Sequence, residues 1–358
     1  MKRVDAVRTP PSDGFPAFPE NGHSLLKKHL TRDVWMQLNG RTTRAGVTLL
    51  DCIRSGIVNT DSEVGLYAGD AESYVVFAPL FAPVIADCHP GFRAGDLIRP
   101  VHAATDFQPV NPDPEGKYIV STRLRLARNF EGHGLRPGAV GGEDCDVEHK
   151  AKRAFARFSG DLAGSYRALG GLPEHSHAFK RGDRFQDAAG LNRNWPEGRG
   201  VFANASQTFF CWVNEEDHLR VIAIQRNADI VLALAQLRAG MDVIAGDLTF
   251  QYSDTYGYIS SCPTNLGTGL RISFRVKLPL SGKSPAFEAI CARHHLAVRG
   301  ISGEHEAIRG YVYEISNKRR LGLSEAACLQ ECLEGTSQLI DLEKSLEAVG
   351  SESGHEYF

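Results

Sequence analysis

The sequence has no excess of charge of either sign and no long apolar run. Its 40 lysine and arginine residues are balanced by 43 aspartate and glutamate residues, which gives a formal net charge of −3. This balance argues against the broad basic surface with which proteins bind nucleic acid or anionic membranes. The most apolar window, residues 75–86, is too short to cross a bilayer and contains Pro79 and Pro83. We therefore expect neither nucleic acid nor a membrane as a partner.

The eight cysteines contain no C-x-x-C pair, so neither a zinc site nor a dithiol redox motif is predicted. Residues 1–20 contain no apolar region of the kind found in secretory signal peptides. Reduced cysteines and a cytoplasmic location are therefore expected.

The common glycine-rich phosphate motifs are missing as well. Neither G-x-x-x-x-G-K-[ST] nor G-x-G-x-x-G occurs, which argues against a P-loop or a Rossmann site. The histidines form no metal constellation: His175 and His177 lie in a polar loop, and His294 and His295 have no carboxylate or thiol partners at ligand spacing, so they are interpreted as structural or solvent-facing. An anionic ligand would have to be bound by basic side chains that the fold brings together.

The chain divides into a helical part and a mixed part. Residues 1–22 are rich in proline, glycine and aspartate and are predicted to form an irregular arm. From Ser24 to about residue 87, apolar residues recur at helical spacing, which predicts a small all-α domain. Residues 109–116 contain three prolines and a glycine without periodicity, and we interpret them as a linker. The predicted domains are residues 1–108 and residues 109–358.

The second domain contains both strand-like and helical segments. Strands are predicted at four apolar runs, residues 118–121, 209–213, 219–224 and 270–278. Helices are predicted over residues 147–169 and 228–243 and from about Ser324 onward. In the last strand, basic residues alternate with apolar ones, so that one strand face is basic and the other is apolar. These patterns indicate an α/β or α+β domain.

Arginine side chains stand beside several of these strands and loops. Five of them follow or precede a strand-like run, an acidic segment or a glycine-rich segment: Arg123, Arg125, Arg220, Arg271 and Arg299. The planar guanidinium matches phosphate oxygens with two parallel hydrogen bonds and stays charged at every relevant pH. Together these side chains could bind a polyphosphate without a P-loop. The alternative for each one taken singly is an ion pair with a surface carboxylate.

The same segments contain groups suited to a cationic ligand. Glu216 and Glu304 are carboxylates in loop-like surroundings, and a guanidinium held between two carboxylates is oriented through its N–H groups. Cys262 lies next to Pro263 and Thr264, close to basic residues that could stabilise a thiolate. The alternative for Cys262 is a structural role as a small buried residue.

Five segments form a pattern that is highly specific when they are taken together and in order. They are GLYAGDAESYVVF (65–77), STRLRLARN (121–129), NEEDHLRVIAIQ (214–225), CPTNLGTGLRIS (262–273) and RGISGEHEAIRGYVYEISNKRRLGL (299–323). Together they closely resemble the phosphagen kinases, the ATP:guanidino phosphotransferases, and within that family most of all the arginine kinases. The resemblance covers nearly the whole chain from about Ser24.

The resemblance implies an α+β fold, in which a small all-α N-terminal domain precedes a larger domain with an antiparallel β-sheet flanked by helices. The first domain would bind the guanidino substrate, and the second would bind the nucleotide. The implied reaction is the reversible transfer of the γ-phosphoryl group of ATP to the guanidinium of L-arginine, which gives phosphoarginine and ADP. Mg²⁺ is the implied cofactor; it would bind with ATP or ADP, and no protein ligand to the metal is expected. A homodimer is one expected assembly.

The resemblance also implies roles for individual residues. The expected nucleotide-binding residues are Ser121, Arg123, Arg125, Arg220, Arg271 and Arg299. The expected catalytic residues are Glu216, Arg220, Cys262 and Glu304, of which the two glutamates and the cysteine also contact the acceptor. The acceptor loop, residues 61–67, is expected to bind the acceptor through Ser62, Val64, Gly65 and Tyr67.

Three positions depart from the family pattern. Glu63 stands in the acceptor loop where arginine kinases usually have glycine, and we expect its side chain to lie in solvent. Arg275 replaces a usual histidine, and Ser176 stands where a histidine commonly stacks on the base, with His175 and His177 beside it. The alternatives are a kinase for taurocyamine, lombricine or glycocyamine, and a catalytically inactive homologue. A protein-arginine kinase is disfavoured because such kinases lack the helical N-terminal domain.

Overall fold

The computed structural model describes residues 14–18, 22–59, 62–93, 109–139, 141–171, 196–299 and 311–353. The described residues contain two large hydrophobic cores, one within the N-terminal helices and one under a β-sheet. No helix in these ranges is long and apolar enough to cross a membrane.

Short helices make up the N-terminal part of the described chain. They are α1 (Leu25–His29), α2 (Arg32–Leu38), α3 (Leu49–Val58), α4 (Ser73–Val76) and α5 (Ala78–Cys88). Polar side chains define where several of them begin. The Ser24 hydroxyl accepts a hydrogen bond from the Lys27 N–H group at 3.1 Å, and Thr48 and Asp51 form a reciprocal capping box at the start of α3. These caps satisfy amide groups that have no partner within the helix.

The core of the helical part extends into the second part of the chain. Phe77 is fully buried, and Ile259, Leu266 and Leu321 pack in the same apolar cluster. Burying one such side chain stabilises a fold by roughly 1.5–3 kcal/mol. Apolar residues that precede and follow Cys262 in the chain therefore pack against the helical part.

Strands dominate the second part. They are β1 (Ile119–Arg128), β2 (Gly164–Ala168), β3 (Gly200–Asn204), β4 (Phe209–Val213), β5 (Leu219–Gln225), β6 (Tyr252–Ser253), β7 (Gly257–Tyr258), β8 (Leu270–Lys277), β9 (Leu296–Arg299) and β10 (Val312–Asn317). The described strands form an eight-stranded sheet in the order β2-β3-β4-β5-β1-β8-β10-β9, and β6 pairs with β7 separately. The pairings within the large sheet are antiparallel. The central strand β1 therefore has β5 on one side and β8 on the other.

One face of the sheet is apolar and covered by helices. The helices are α6 (Glu143–Phe155), α7 (Ile230–Ala245), α8 (Pro285–Arg293) and α9 (Glu325–Ser353). Their apolar residues share one core with Leu124, Ile272 and Phe274 of the sheet. Arg125 and Arg271 extend to the opposite face because side chains alternate along a strand. The α+β fold and the basic face predicted for residues 270–278 are thus confirmed.

The predicted helix over residues 147–169 is wrong in its second half. Helix α6 ends at Phe155, Gly160 adopts a positive φ of 56°, and β2 follows as an edge strand. A Cβ atom at Gly164 would collide with the carbonyl oxygen of Ala203, so glycine permits the close pairing of β2 with β3. Most residues of β2 are exposed, and no apolar run marks the strand in the sequence.

The predicted linker, residues 109–116, contains no helix or strand. The predicted domain boundary between residues 108 and 109 adjoins residues outside the described ranges and stays a prediction.

Candidate active site

A cleft of about 620 Å³ lies where the helical part meets the basic face of the sheet. This volume is typical of small-molecule sites. Its lining includes Glu63, Val64, Asp87, Arg125, Glu215, Glu216, Arg220, Cys262, Arg271, Arg299 and Arg320. The cleft therefore combines residues from the predicted nucleotide site and the predicted acceptor site.

Strand register brings the predicted phosphate-binding arginines together. Arg123 and Arg125 lie on one face of β1, and Arg125 pairs with Arg271 of β8. Arg220 lies on the other neighbouring strand, β5, and Arg299 ends β9. All of them except Arg123 line the cleft, and Arg123 is two residues from one that does.

Burial and the neighbouring cations disfavour the charged forms of Arg125 and Arg271. Burial, and then the charges of Arg271, Arg123 and Arg220, lower the pKa of Arg125 well below its usual value. Burial, and then the charge of Arg299, lower the pKa of Arg271 to about 9. The guanidinium groups remain charged at neutral pH, so a polyanion bound in the cleft would relieve their mutual repulsion.

Glu314 on β10 is a carboxylate inside this cluster that the sequence analysis did not identify. Its Oε1 atom lies 3.2 Å from Nη2 of Arg271 and 4.0 Å from Nη2 of Arg125. Burial raises the pKa of Glu314, but the charges of the surrounding arginines outweigh it, and the pKa lies below its usual value. Glu314 is therefore ionised and orients two arginines. In the sequence, Glu314 appears only as a single charged residue within a strand. Such a residue can be a counter-ion or a solvent-facing side chain, and the sequence does not distinguish the two.

The acidic turn between β4 and β5 places Glu216 beside Arg220. Asn214 begins the turn with a φ of 55°, and its Nδ2 atom donates to two backbone carbonyl groups at 2.9 and 2.7 Å. Nη2 of Arg220 then lies 2.8 Å from Oε2 of Glu215 and 3.7 Å from Oε2 of Glu216. Burial, and then the charge of Glu215, raise the pKa of Glu216. Glu216 is thus a carboxylate of raised proton affinity next to the arginine cluster.

Cys262 is almost fully buried against the acceptor side of the cleft. Its Sγ atom lies 3.1 Å from the Thr264 hydroxyl. Burial, and then the charge of Glu216, raise the pKa of the Cys262 thiol well above its usual value, while Thr264 has the opposite, smaller effect. Burial therefore favours the neutral thiol over the thiolate. A guanidinium bound beside Cys262 would lower this pKa.

The acceptor loop lies directly against Cys262. Tyr67 is buried and packs on Cys262 together with Val64. Gly65 has a φ of 71°, and its N–H group donates to the Ser62 hydroxyl at 3.0 Å. The structure therefore places Val64 and Tyr67 beside the cysteine, with Ser62 and Gly65 in the same loop; of the four, only Val64 lines the cleft.

The side chain of Glu63 is exposed to solvent, and its carboxylate also faces Arg299. Its Oε2 atom lies 3.6 Å from Nη2 of Arg299, and both residues line the cleft. The Glu63 side chain is 46% exposed, and that of Arg299 is 33% exposed. The predicted exposure of Glu63 is confirmed, and the opposite charge of Arg299 attracts its carboxylate across the cleft.

Asp217 is a buried support of the site that the sequence analysis also missed. Its carboxylate accepts hydrogen bonds from Nδ2 of Asn129 at 2.6 Å, from the Ser260 hydroxyl at 2.7 Å and from the Ser261 N–H group at 2.8 Å. The Ser261 carbonyl group in turn accepts a hydrogen bond from the Ala68 N–H group at 2.7 Å. One carboxylate thus links the acidic turn, the segment before the cysteine and the end of the acceptor loop.

The described carboxylates of the cleft do not form a metal cage. In the ranges that the structure describes, no group of three or more histidine, cysteine, aspartate or glutamate side chains is placed to hold a metal ion. Glu215 and Glu314, the carboxylates nearest the arginine cluster, are each paired with arginine.

Family models match both parts of this chain. The model of the ATP:guanido phosphotransferase N-terminal domain matches residues 20–86, and that of the C-terminal catalytic domain matches residues 146–346. The chain belongs to the ATP:guanido phosphotransferase family. The resemblance inferred from the five segments is thereby confirmed, and so is the prediction that the chain is a phosphagen kinase.

Relatives of known function agree with this membership. The chain is 44% identical over 351 residues to an arginine kinase of Anthopleura japonica, covering 92% of this chain and 48% of that relative. It therefore spans about half the length of that protein. It is 41% identical over 336 residues to an arginine kinase of Penaeus japonicus, covering 90% of this chain and 94% of the relative.

Solved structures of phosphagen kinases share the fold. A lombricine kinase superposes with a TM-score of 0.81 at 35% identity, covering 93% of this chain and 95% of the other. The substrate-free duplicated taurocyamine kinase from Schistosoma mansoni gives a TM-score of 0.78 at 34% identity, covering 91% of this chain and 47% of that one.

Some predicted residues fall elsewhere or outside the described ranges. Ser121 lies on β1 opposite Arg275 of β8, and neither lines the cleft. Glu304 and Ser176 lie outside the described residues, and so do the histidines beside Ser176.

Proposed function

We propose that the chain transfers the γ-phosphoryl group of ATP reversibly to the guanidinium of L-arginine, which gives phosphoarginine and ADP. The observation that carries this proposal is a single cleft in which an arginine cluster faces Glu216, Cys262 and the acceptor loop. Guanidinium forks suit a polyphosphate, whereas a carboxylate suits a guanidinium. The arginine kinases among the relatives support L-arginine as the acceptor.

On the nucleotide side, Arg123, Arg125, Arg220, Arg271 and Arg299 would bind the phosphates together with Ser121. Phosphoryl transfer is accelerated mainly by positioning and by neutralising charge on the transferred group. The preassembled arginines supply both, because Glu314 already orients two of them at 3.2 and 4.0 Å. Their repulsion would fall when the polyphosphate binds.

On the acceptor side, Glu216 would orient the guanidinium so that its reacting nitrogen lies in line with the γ-phosphate. The nitrogen must lose a proton during transfer, and Glu216, whose pKa is raised, is suited to accept it. Glu304 is proposed as the second carboxylate from its sequence context. Cys262 would contact the guanidinium from the side on which Tyr67 packs.

Mg²⁺ is proposed to accompany the nucleotide and to supply further charge neutralisation. It would be held mainly by phosphate oxygens and water. A homodimer, a cytoplasmic location and a domain boundary between residues 108 and 109 also stay proposals.

The experiment that tests this function is a coupled assay of ADP release with arginine, creatine, taurocyamine, glycocyamine and lombricine in parallel. We expect the highest kcat/KM with arginine. A preference for lombricine or taurocyamine would move the assignment to those kinases, which the structural neighbours represent. Turnover with none of the five would contradict the proposal and favour an inactive homologue.

A further inference from the structure

Glu63 and Arg299 approach each other from opposite sides of the cleft. Glu63 belongs to the acceptor loop in the helical part, whereas Arg299 ends the edge strand β9 of the sheet. We propose that this pair is a charge latch, in which the Glu63 carboxylate occupies the place beside Arg299 that a nucleotide phosphate takes. Binding of the nucleotide then releases the Glu63 side chain, so the two substrate sites are coupled through one residue. This inference rests on the proposed function.

The backbone around Glu63 is held in place, so the exchange involves its side chain. The Glu63 carbonyl group accepts a hydrogen bond from the Leu25 N–H group at 2.8 Å. The neighbouring Val64 carbonyl group accepts one from the Leu26 N–H group at 2.9 Å. Two consecutive carbonyl groups of the loop, those of Glu63 and Val64, are thereby attached to the start of α1. Its carboxylate can leave Arg299 without displacement of the loop backbone.

A phosphate group is the stronger partner for Arg299. The carboxylate oxygen of Glu63 lies 3.6 Å from Nη2, and both side chains are partly exposed, so the pair is weak. A nucleotide phosphate carries more charge and can accept two parallel hydrogen bonds from one guanidinium. Arg299 also lies in the field of Arg271, where a polyanion would contact several cations together. The phosphate therefore displaces the carboxylate, and Glu63 makes nucleotide binding weaker than it would otherwise be.

The size of this effect follows from the geometry. Exposed ion pairs of this kind correspond to about a 1.5- to 5-fold change in an equilibrium constant. Removing the Glu63 charge should therefore tighten ADP binding by about 1.5- to 5-fold in the absence of the acceptor. The difference should shrink at high ionic strength, because salt screens exposed pairs.

The test compares Glu63→Gln with the wild type by calorimetric titration of Mg-ADP without acceptor. Glu115→Gln is the matched control, since it removes the same charge from an exposed residue that does not line the cleft. We expect tighter binding in Glu63→Gln and wild-type affinity in Glu115→Gln. Unchanged or weaker binding in Glu63→Gln would overturn the latch, and so would an equal gain in the control.

A second comparison places the effect at Arg299. In the Arg299→Gln background, the further change Glu63→Gln should give no gain in affinity, because the partner of the carboxylate is already absent. Persistence of the full gain would contradict the latch. A wild-type protein that does not bind Mg-ADP would contradict the proposed function itself, whereas normal binding that is insensitive to Glu63→Gln would contradict the latch alone.

Discussion

Replacing Asp217 should disturb both stability and catalysis, because this residue links three parts of the site. In Asp217→Ala, three buried donors lose a charged acceptor that lies within 2.6–2.8 Å. A buried donor left without a partner costs about 1–3 kcal/mol, so for three donors we expect a loss of about 3–9 kcal/mol in the free energy of unfolding. Asp217→Asn keeps the volume and one carbonyl oxygen and should cost about 1–3 kcal/mol.

The catalytic consequence of Asp217→Ala arises from position, since Asp217 does not line the cleft. In the variant, the segment that precedes Cys262 loses its hydrogen bonds to the turn that contains Glu216. A misplacement of about 1 Å in such groups lowers turnover by about 100-fold. We expect a loss of kcat of this order in Asp217→Ala, measured at a temperature at which the variant remains folded, and a smaller loss in Asp217→Asn.

Asp113 provides the matched control for stability. It is equally buried and accepts hydrogen bonds from the Lys117, Tyr118 and Ile119 N–H groups at 3.1, 2.8 and 2.6 Å, outside the cleft. Asp113→Ala should lower the urea midpoint to a similar extent but retain kcat while folded. Equal losses of kcat in the two alanine variants, or wild-type kcat in Asp217→Ala, would refute the positioning role.

Other predictions test the acceptor loop, the contact between the two parts and the cysteine. Gly56→Ala places a Cβ atom 2.6 Å from the Gly65 carbonyl oxygen and so displaces the acceptor loop. This variant should raise the acceptor KM more than the ADP Kd. In the control Gly40→Ala, the added Cβ atom has no other atom within 4 Å, and both constants should stay unchanged. Burial lowers the pKa of His89 to about 4, below its value of about 6.5 in the unfolded chain. The unfolded state therefore binds the proton first, and the unfolding free energy should fall as the pH drops from about 6.5 towards 4; a His89→Gln variant with the same pH dependence would contradict this. Cys262→Ala should lower kcat far more than it weakens ADP binding. A kcat equal to that of the wild type would contradict the catalytic role of Cys262.

Where the local sequence sets the structure, the sequence predicted the fold well. The alternation in residues 270–278 identified β8 and its basic face because the pattern of side chains follows the geometry of a strand. Strand β2 was missed because it is an exposed edge whose pairing depends on Gly164 lying against Ala203, a long-range contact. Propensity and periodicity contain no information about such a contact.

The site residues also fall into those that local motifs predicted and those that depend on long-range contacts. Family motifs predicted the residues that line the cleft, including Arg271, Glu216 and Cys262. They did not identify Glu314 or Asp217, whose importance comes from partners far away in sequence. The neighbouring basic residues in the sequence do not determine the charge state of Cys262, because burial has the largest effect on the pKa of its thiol.

The most direct test of the central claim is ³¹P NMR of the protein incubated with Mg-ATP and L-arginine. We expect a phosphoarginine resonance that grows in equal amount with ADP, and the loss of this resonance in Glu216→Gln. Release of inorganic phosphate without a phosphoarginine signal, or an unchanged rate in Glu216→Gln, would contradict the claim that one cleft aligns a polyphosphate with a guanidinium.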